Sequence, residues 1–156
     1  MTNVARAVAM LNRLRELGVG DVVVCGGSRN APLIGGLTSA NCELRTANVF
    51  TFVDERSAAF FALGRIKRDG VPVAVITTSG TAVAELLPAT IEAFYSGLPL
   101  ILITADRPAR YRGTGAPQTI DQVGIFGGYA ATELEKWNRA TPLHINIEFD
   151  EPLIDE

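Results

Sequence analysis

Three short apolar runs constrain this chain more than any other feature. Val22-Val23-Val24-Cys25, Val73 to Thr77 and Leu100 to Thr104 are hydrophobic almost without interruption. A strand with one wet face alternates polar and apolar residues, whereas a continuous run fits a strand covered on both faces, as in parallel sheets. Helical patterns lie between the runs. Val4, Ala7, Val8, Leu11, Leu14 and Leu17 fall at three- and four-residue steps, with Thr2 or Asn3 as cap and Gly18 as stop. Ala31-Pro32-Leu33 reads as a helix start with proline near its first position. Phe50 to Val53 reads as a strand, and Glu55 to Lys67 as a helix ending at Asp69-Gly70. Ala82 to Tyr95 reads as a helix ending at Gly97, and Leu143 to Ile147 as a last strand. Strands alternating with helices predict a three-layer α/β/α domain with a mainly parallel sheet.

Composition removes several function classes. With 156 residues, 47 % hydrophobic and 20 % charged, the chain is one folded domain rather than a disordered segment. Fourteen basic against 17 acidic side chains give a net charge of −3, which excludes a strongly basic nucleic-acid surface. Cys25 and Cys42 are too few for a disulfide scaffold or a cysteine-rich metal site. The single histidine, His144, sits inside an apolar run and reads as structural, and Trp137 reads as a packing residue. No apolar run reaches the length of a membrane span, so the expectation is a soluble, cytoplasmic domain.

Two segments depart from the rhythm. Residues 106–142 are weakly periodic, with Arg107, Arg110 and Arg112 crowded before Gly113, Gly115 and Pro117. Long irregular stretches inside compact domains are usually functional or disordered. Residues 149–156 form an acidic tail with no closing helix. The tail reads as the start of an interdomain linker, leaving 1–148 as the domain proper and the whole as one part of a longer enzyme.

Ligands of parallel α/β sheets bind at the carboxyl ends of the strands. Four turns qualify: Gly26 to Asn30, Asp54 to Ser57, Thr78 to Ala82 and Ala105 to Arg110. They gather Ser28, Arg29, Asp54, Glu55, Thr78, Ser79 and Arg107 on one rim. Gly26-Gly27-Ser28 matches no nucleotide-binding fingerprint, and a turn needing positive φ is the plain alternative. Arg29 at a strand end can meet a carboxylate with two parallel hydrogen bonds. Asp54 can simply cap the following helix, with Glu55 favouring its dipole. Thr77-Thr78-Ser79-Gly80-Thr81-Ala82 suits capping, and its small side chains also let a flat ligand approach the backbone.

In this order the turns resemble the amino-terminal pyrimidine-binding domain of thiamine-diphosphate enzymes. Within that superfamily they resemble most the menaquinone-pathway 2-succinyl-5-enolpyruvyl-6-hydroxy-3-cyclohexene-1-carboxylate synthase family. The likeness is carried by Gly27-Ser28-Arg29, Val53-Asp54-Glu55-Arg56, Phe61-Ala62-Leu63-Gly64 and Thr78-Ser79-Gly80-Thr81-Ala82-Val83-Ala84. It continues in Leu102-Ile103-Thr104-Ala105-Asp106-Arg107-Pro108, Gly115-Ala116-Pro117-Gln118-Thr119-Ile120-Asp121-Gln122 and Phe149-Asp150-Glu151-Pro152-Leu153.

The resemblance implies that Glu55 is catalytic: it bonds the aminopyrimidine ring of thiamine diphosphate and promotes loss of the thiazolium proton. Decarboxylation of 2-oxoglutarate and addition of the resulting carbanion to isochorismate follow. Thr78, Ser79 and Gly80 would lie against the pyrimidine. Ser28, Arg29, Arg107 and Gln118 would bind the polyanionic substrates. The resemblance places no metal ligand on this chain; Mg²⁺ and the diphosphate would be held by a diphosphate-binding domain with a Gly-Asp-Gly signature, absent here. That domain, in the same enzyme or a partner subunit, is the implied partner. A homo-oligomer, dimer or tetramer, is expected, and the isolated domain is expected to be inactive.

Three departures from the family pattern stand out. Gly26 and Asn30 replace the usual residues around Ser-Arg, Pro117 replaces an asparagine, and the 127–142 connection is short. Another 2-oxoacid decarboxylase or acetolactate-type ligase, or a non-catalytic interaction domain of the same fold, remains open on sequence.

Overall fold

The computed structural model describes residues 1–154; Asp155 and Glu156, the end of the acidic tail, lie outside the described residues. Five strands build the sheet: β1 (Asp21–Cys25), β2 (Asn48–Phe52), β3 (Val73–Thr77), β4 (Leu100–Asp106) and β5 (Leu143–Glu148). Their order is β2-β1-β3-β4-β5, and every pairing is parallel. The helices are α1 (Asn3–Glu16), α2 (Ala31–Leu37), α3 (Glu55–Asp69), α4 (Thr81–Ala84) and α5 (Leu87–Tyr95).

Alternation along each strand sorts the core into two layers. Val22 and Val24 of β1, Ala74 and Ile76 of β3, and Ile101 and Ile103 of β4 pack against α1 and α2. Val23, Val75, Leu100 and Leu102 point the other way, onto Ala58, Ala62 and Ile66 of α3, Leu86 just before α5, and Ala89 and Ala93 of α5. The sheet is therefore covered on both faces, which is why β1, β3 and β4 carry no polar alternation. The three-layer α/β/α expectation holds. Among the described residues no helix is long and apolar enough to cross a membrane.

Local signals set the boundaries. Thr2 caps α1 by accepting the Ala5 N–H at 3.1 Å, and Gly18 ends the helix at φ +83°. Asp54 caps α3 by accepting the Ser57 N–H at 2.6 Å, and Gly70 closes it in the left-handed region at φ +70°.

Three expected boundaries shift. The helix read over Ala82 to Tyr95 is two helices, α4 and α5, because Pro88 cannot donate a backbone hydrogen bond and its ring crowds the preceding turn. The strand read over Phe50 to Val53 begins at Asn48 and ends at Phe52, leaving Val53 on an exposed bend. β4 runs two residues past Thr104, carrying the wholly buried Asp106 carboxylate inside the strand.

Candidate functional site

Because every strand runs the same way, all the strand carboxyl ends share one edge of the sheet. The chain leaves β1 toward β2 on one side and reaches β3 on the other, so the switch point lies between β1 and β3. Two turns meet there. A Cβ added to Gly27 would fall 2.6 Å from Cβ of Thr78, closer than any real side chain tolerates. Gly27 does not adopt positive φ. Its role is therefore close approach between the β1–α2 and β3–α4 turns, not the left-handed turn the sequence suggested as the plain alternative.

Asn30 closes the first of these turns. Its Oδ1 accepts the Gly27 N–H at 2.9 Å and its Nδ2 donates to the Cys25 carbonyl at 2.8 Å, the Asn30 side chain itself being fully buried. The sequence marked Asn30 only as a departure; the structure shows why an amide stands there. Ser28 is exposed on the same turn. Arg29 is buried, donating from Nη1 to the Phe149 carbonyl at 3.0 Å and pairing through Nη2 with Glu151 at 2.9 Å. Arg29 thus ties the β1–α2 turn to the acidic tail.

The end of β3 is a cradle of small, buried residues. Thr78, Ser79 and Gly80 are all buried, and the Thr77 and Thr78 hydroxyls have no partner among the described residues. Buried hydroxyls without partners are uncommon and call for an explanation. Glu55, the first residue of α3, is half-buried and makes no ion pair among the described residues. Burial, and next the nearby Glu55 and Asp54 carboxylates, push the Cys25 thiol at the end of β1 up to about 12, so it stays protonated. The Asp54 carboxyl, by contrast, is held below the usual carboxylate range by its hydrogen bonds from Ser57. Capping therefore engages Asp54 and leaves its neighbour Glu55 free.

Arg107 and Gln118 come from the irregular stretch. Nε of Arg107 donates to the Pro117 carbonyl at 3.0 Å, so Pro117 still supplies an acceptor through its backbone. Gln118 adopts φ +53°, and its backbone presses on Gly80, where an added Cβ would sit 3.1 Å from the Gln118 Cα. Gly80 itself has φ +86° and ψ −145°, open in practice only to glycine. The fold thus joins Gly80, Gln118, Pro117 and Arg107 in one group. Ser28 and Arg29 lie on the turn that touches Thr78, and Glu55 lies near Cys25.

Sequence reasoning missed the network beneath this group. Gln122, fully buried, accepts the Gly80 N–H at 3.1 Å through Oε1. Its Nε2 donates to the Ala105 carbonyl at 3.0 Å and to Asn146 Oδ1 at 2.7 Å. Asn146 Nδ2 donates to Asp106 at 2.9 Å, and Asn146 Oδ1 also accepts from Thr104 at 2.8 Å. Arg112 bridges Asp106 at 3.2 Å and Glu148 at 2.6 Å. His144 bonds the Thr104 hydroxyl through Nε2 at 2.8 Å, and burial lowers it to about 4, so the ring is neutral near pH 7. The only advance signal was the position of Asp106 and Gln122 inside the quoted motifs.

A cavity of about 660 Å³ opens between Arg6 and Met10 of α1 and Ile145 and Ile147 of β5; Asn146 and Glu148 of the network line it, and none of the residues expected from sequence to bind cofactor or substrate does. Among the described residues, no three His, Cys, Asp or Glu side chains converge as a metal site.

A family model described as thiamine pyrophosphate enzyme, N-terminal TPP binding domain, matches residues 4–125. Curated relatives agree with it. A 2-succinyl-5-enolpyruvyl-6-hydroxy-3-cyclohexene-1-carboxylate synthase from Bdellovibrio bacteriovorus is 49 % identical, aligned over 99 % of this chain and 31 % of its own length. Synthases of the same name from Akkermansia muciniphila and a Synechococcus species are 50 % and 44 % identical, over 86 % and 97 % of this chain. The chain spans 27–31 % of the length of these relatives.

Proposed function

The chain belongs to the N-terminal TPP-binding domain family of thiamine pyrophosphate enzymes, and from that premise we propose that it forms the pyrimidine side of the active site in a menaquinone-pathway synthase. The reaction is decarboxylation of 2-oxoglutarate and transfer of the remaining four-carbon unit to isochorismate. The observation that carries the reading is Glu55: a half-buried carboxylate without an ion pair among the described residues, beside a cradle of orphaned hydroxyls at the switch point.

These residues fit an aminopyrimidine. The Thr78 hydroxyl lacks a partner that a flat heterocycle can supply, and the glycines at 27 and 80 keep the surface low. Bound thiamine diphosphate supplies the nucleophilic carbon and the electron sink for decarboxylation. Glu55 holds a proton between its carboxylate and a ring nitrogen, which is general acid–base work. Thr78, Ser79 and Gly80 position the ring. Ser28, Arg107 and Gln118 orient the anionic substrates, joined by Arg29 where a substrate carboxylate takes the place of the exposed Glu151 at its Nη2, each charge-assisted bond contributing about 1.5–3 kcal/mol.

The diphosphate and its Mg²⁺ are held by the remainder of the enzyme, or by a partner subunit, and the working unit is a cytoplasmic homo-oligomer. Residues 1–148 act as the pyrimidine domain and 149–156 begin the linker. The relatives' greater length supports dependence on a further domain. The test is the complete enzyme with thiamine diphosphate, Mg²⁺ and isochorismate, offered 2-oxoglutarate or pyruvate. The proposal predicts efficient turnover of 2-oxoglutarate alone. Preference for pyruvate would transfer the domain to an acetolactate-type ligase, and absence of any decarboxylation would leave an interaction domain.

A further inference from the structure

We infer that Gln122 is a positioning residue that sets the distance between the Thr78–Gly80 turn and Gln118, and so between the cofactor-facing and substrate-facing walls of the site. The part of this inference that concerns substrate rests on the function proposed above. The geometric part does not.

Asp106 is a wholly buried carboxylate that receives the Arg107 N–H at 2.7 Å and the Arg112 guanidinium at 3.2 Å. As an acceptor it forces the Asn146 amide to present Nδ2 toward it. Asn146 Oδ1 then faces away and must receive two donors, the Thr104 hydroxyl and Gln122 Nε2. With Nε2 committed to Asn146 and to the Ala105 carbonyl, Gln122 has one orientation left, Oε1 toward the Gly80 N–H. One charge therefore fixes the direction of every amide in the chain of bonds. Thr104, giving its proton to Asn146, accepts from Nε2–H of neutral His144 and fixes that tautomer as well.

Gly80 and Gln118 are the two residues in unusual backbone conformations at this corner, and they touch. Such conformations persist only where surroundings over-determine them. Gln122 supplies that determination at Gly80 directly, and its bonds to Ala105 and Asn146 anchor the segment four residues after Gln118, whose backbone lies against Gly80. Apolar packing is a poor substitute, because no hydrophobic contact is directional enough to hold a glycine N–H in one place. Among the described residues no other side chain bonds the Gly80 N–H.

The test uses the complete enzyme with Gln122→Met, which keeps length and volume but removes all three bonds. Gln122→Asn, one methylene short, is the milder variant if the first fails to fold. Two readouts are taken: amide hydrogen exchange at the Gly80 segment, and KM for isochorismate against kcat. A lost buried hydrogen bond corresponds to about a tenfold effect or more. The inference predicts about tenfold faster exchange at Gly80 and a rise of about tenfold in KM for isochorismate, with a smaller change in kcat. A lowered melting temperature with Gly80 exchange and KM unchanged would overturn it, since Gln122 would then only stabilise the fold. If the unsubstituted enzyme fails to use isochorismate, the proposed function falls. Gly80 exchange alone then decides whether Gln122 positions the turn.

Discussion

Two corners of the same sheet are built by different physics. Over β1 and β3, the α3/α5 layer is hydrocarbon: Val23, Val73 and Val75 cluster with Ala58, Ala62 and Ile66. Over the carboxyl ends of β4 and β5, the same face of the sheet carries Thr104, Asp106, His144, Asn146 and Glu148, covered by the irregular stretch instead of a helix. The first corner is non-directional and tolerates small shifts. The second is a set of mutually dependent hydrogen bonds, stronger as a unit than its members and costly when one is removed. The difference places rigidity of two kinds around the site: a packed floor beneath Glu55, and a hydrogen-bonded brace behind Gly80 and Gln118.

The contrast can be broken most forcefully in the floor. Ile66→Ala removes an almost fully buried side chain from the α3/α5 layer and is expected to cost about 2–5 kcal/mol in denaturant unfolding. Its effect should not depend on pH between 4 and 7, because α3 packs over β1 and β3 while His144 lies on β5, two strands from β3. A pH-dependent loss would show that the two corners are one cooperative network.

The brace should respond to acid. Folded His144 titrates near 4 because burial disfavours its charged form, whereas an unfolded histidine titrates near 6.5. Between those values the unfolded chain binds the extra proton, so stability is complete above pH 6.5 and falls as pH drops toward 4. The expected loss is on the order of 2 kcal/mol. Urea midpoints measured from pH 7 to 4 should fall for the unsubstituted protein and flatten in His144→Gln. A flat profile in both would mean that the ring is solvated in solution.

The smallest effect belongs to the periphery. Thr2→Ala deletes the α1 cap and should cost about 1 kcal/mol with no change at either corner. A larger loss would indicate that α1 anchors more than its own layer.

The same division decides what the sequence made legible. Val73 to Thr77 announced a strand because burial on both faces leaves a pattern in the residues themselves. Thr2, Asp54 and Gly70 announced helix ends because caps act within a few residues. Pro88 hid inside a helical pattern, and its missing donor divides α4 from α5. Gly27 was legible as a turn but not as a point of contact, since Thr78 lies fifty-one positions away (27 to 78). Asp106 was assigned to a turn because a buried carboxylate in a strand makes sense only with Arg112 and Asn146 beside it. Partners that distant leave no periodicity, so the brace could not be read. Glu55 and Arg107 were legible as strand-end residues, but their roles, and Gln118 altogether, came through a family pattern; their geometry was not legible.

The most direct test of the whole account is kcat of the complete enzyme carrying Glu55→Gln, with circular dichroism and calorimetric thiamine-diphosphate binding on the same sample. The account predicts loss of about 10²–10⁴-fold in kcat, the range of a general acid–base group, in a folded protein that still binds the cofactor. Turnover within about twofold of the unsubstituted enzyme would contradict it, because Glu55 would then neither hold nor move a proton in the reaction.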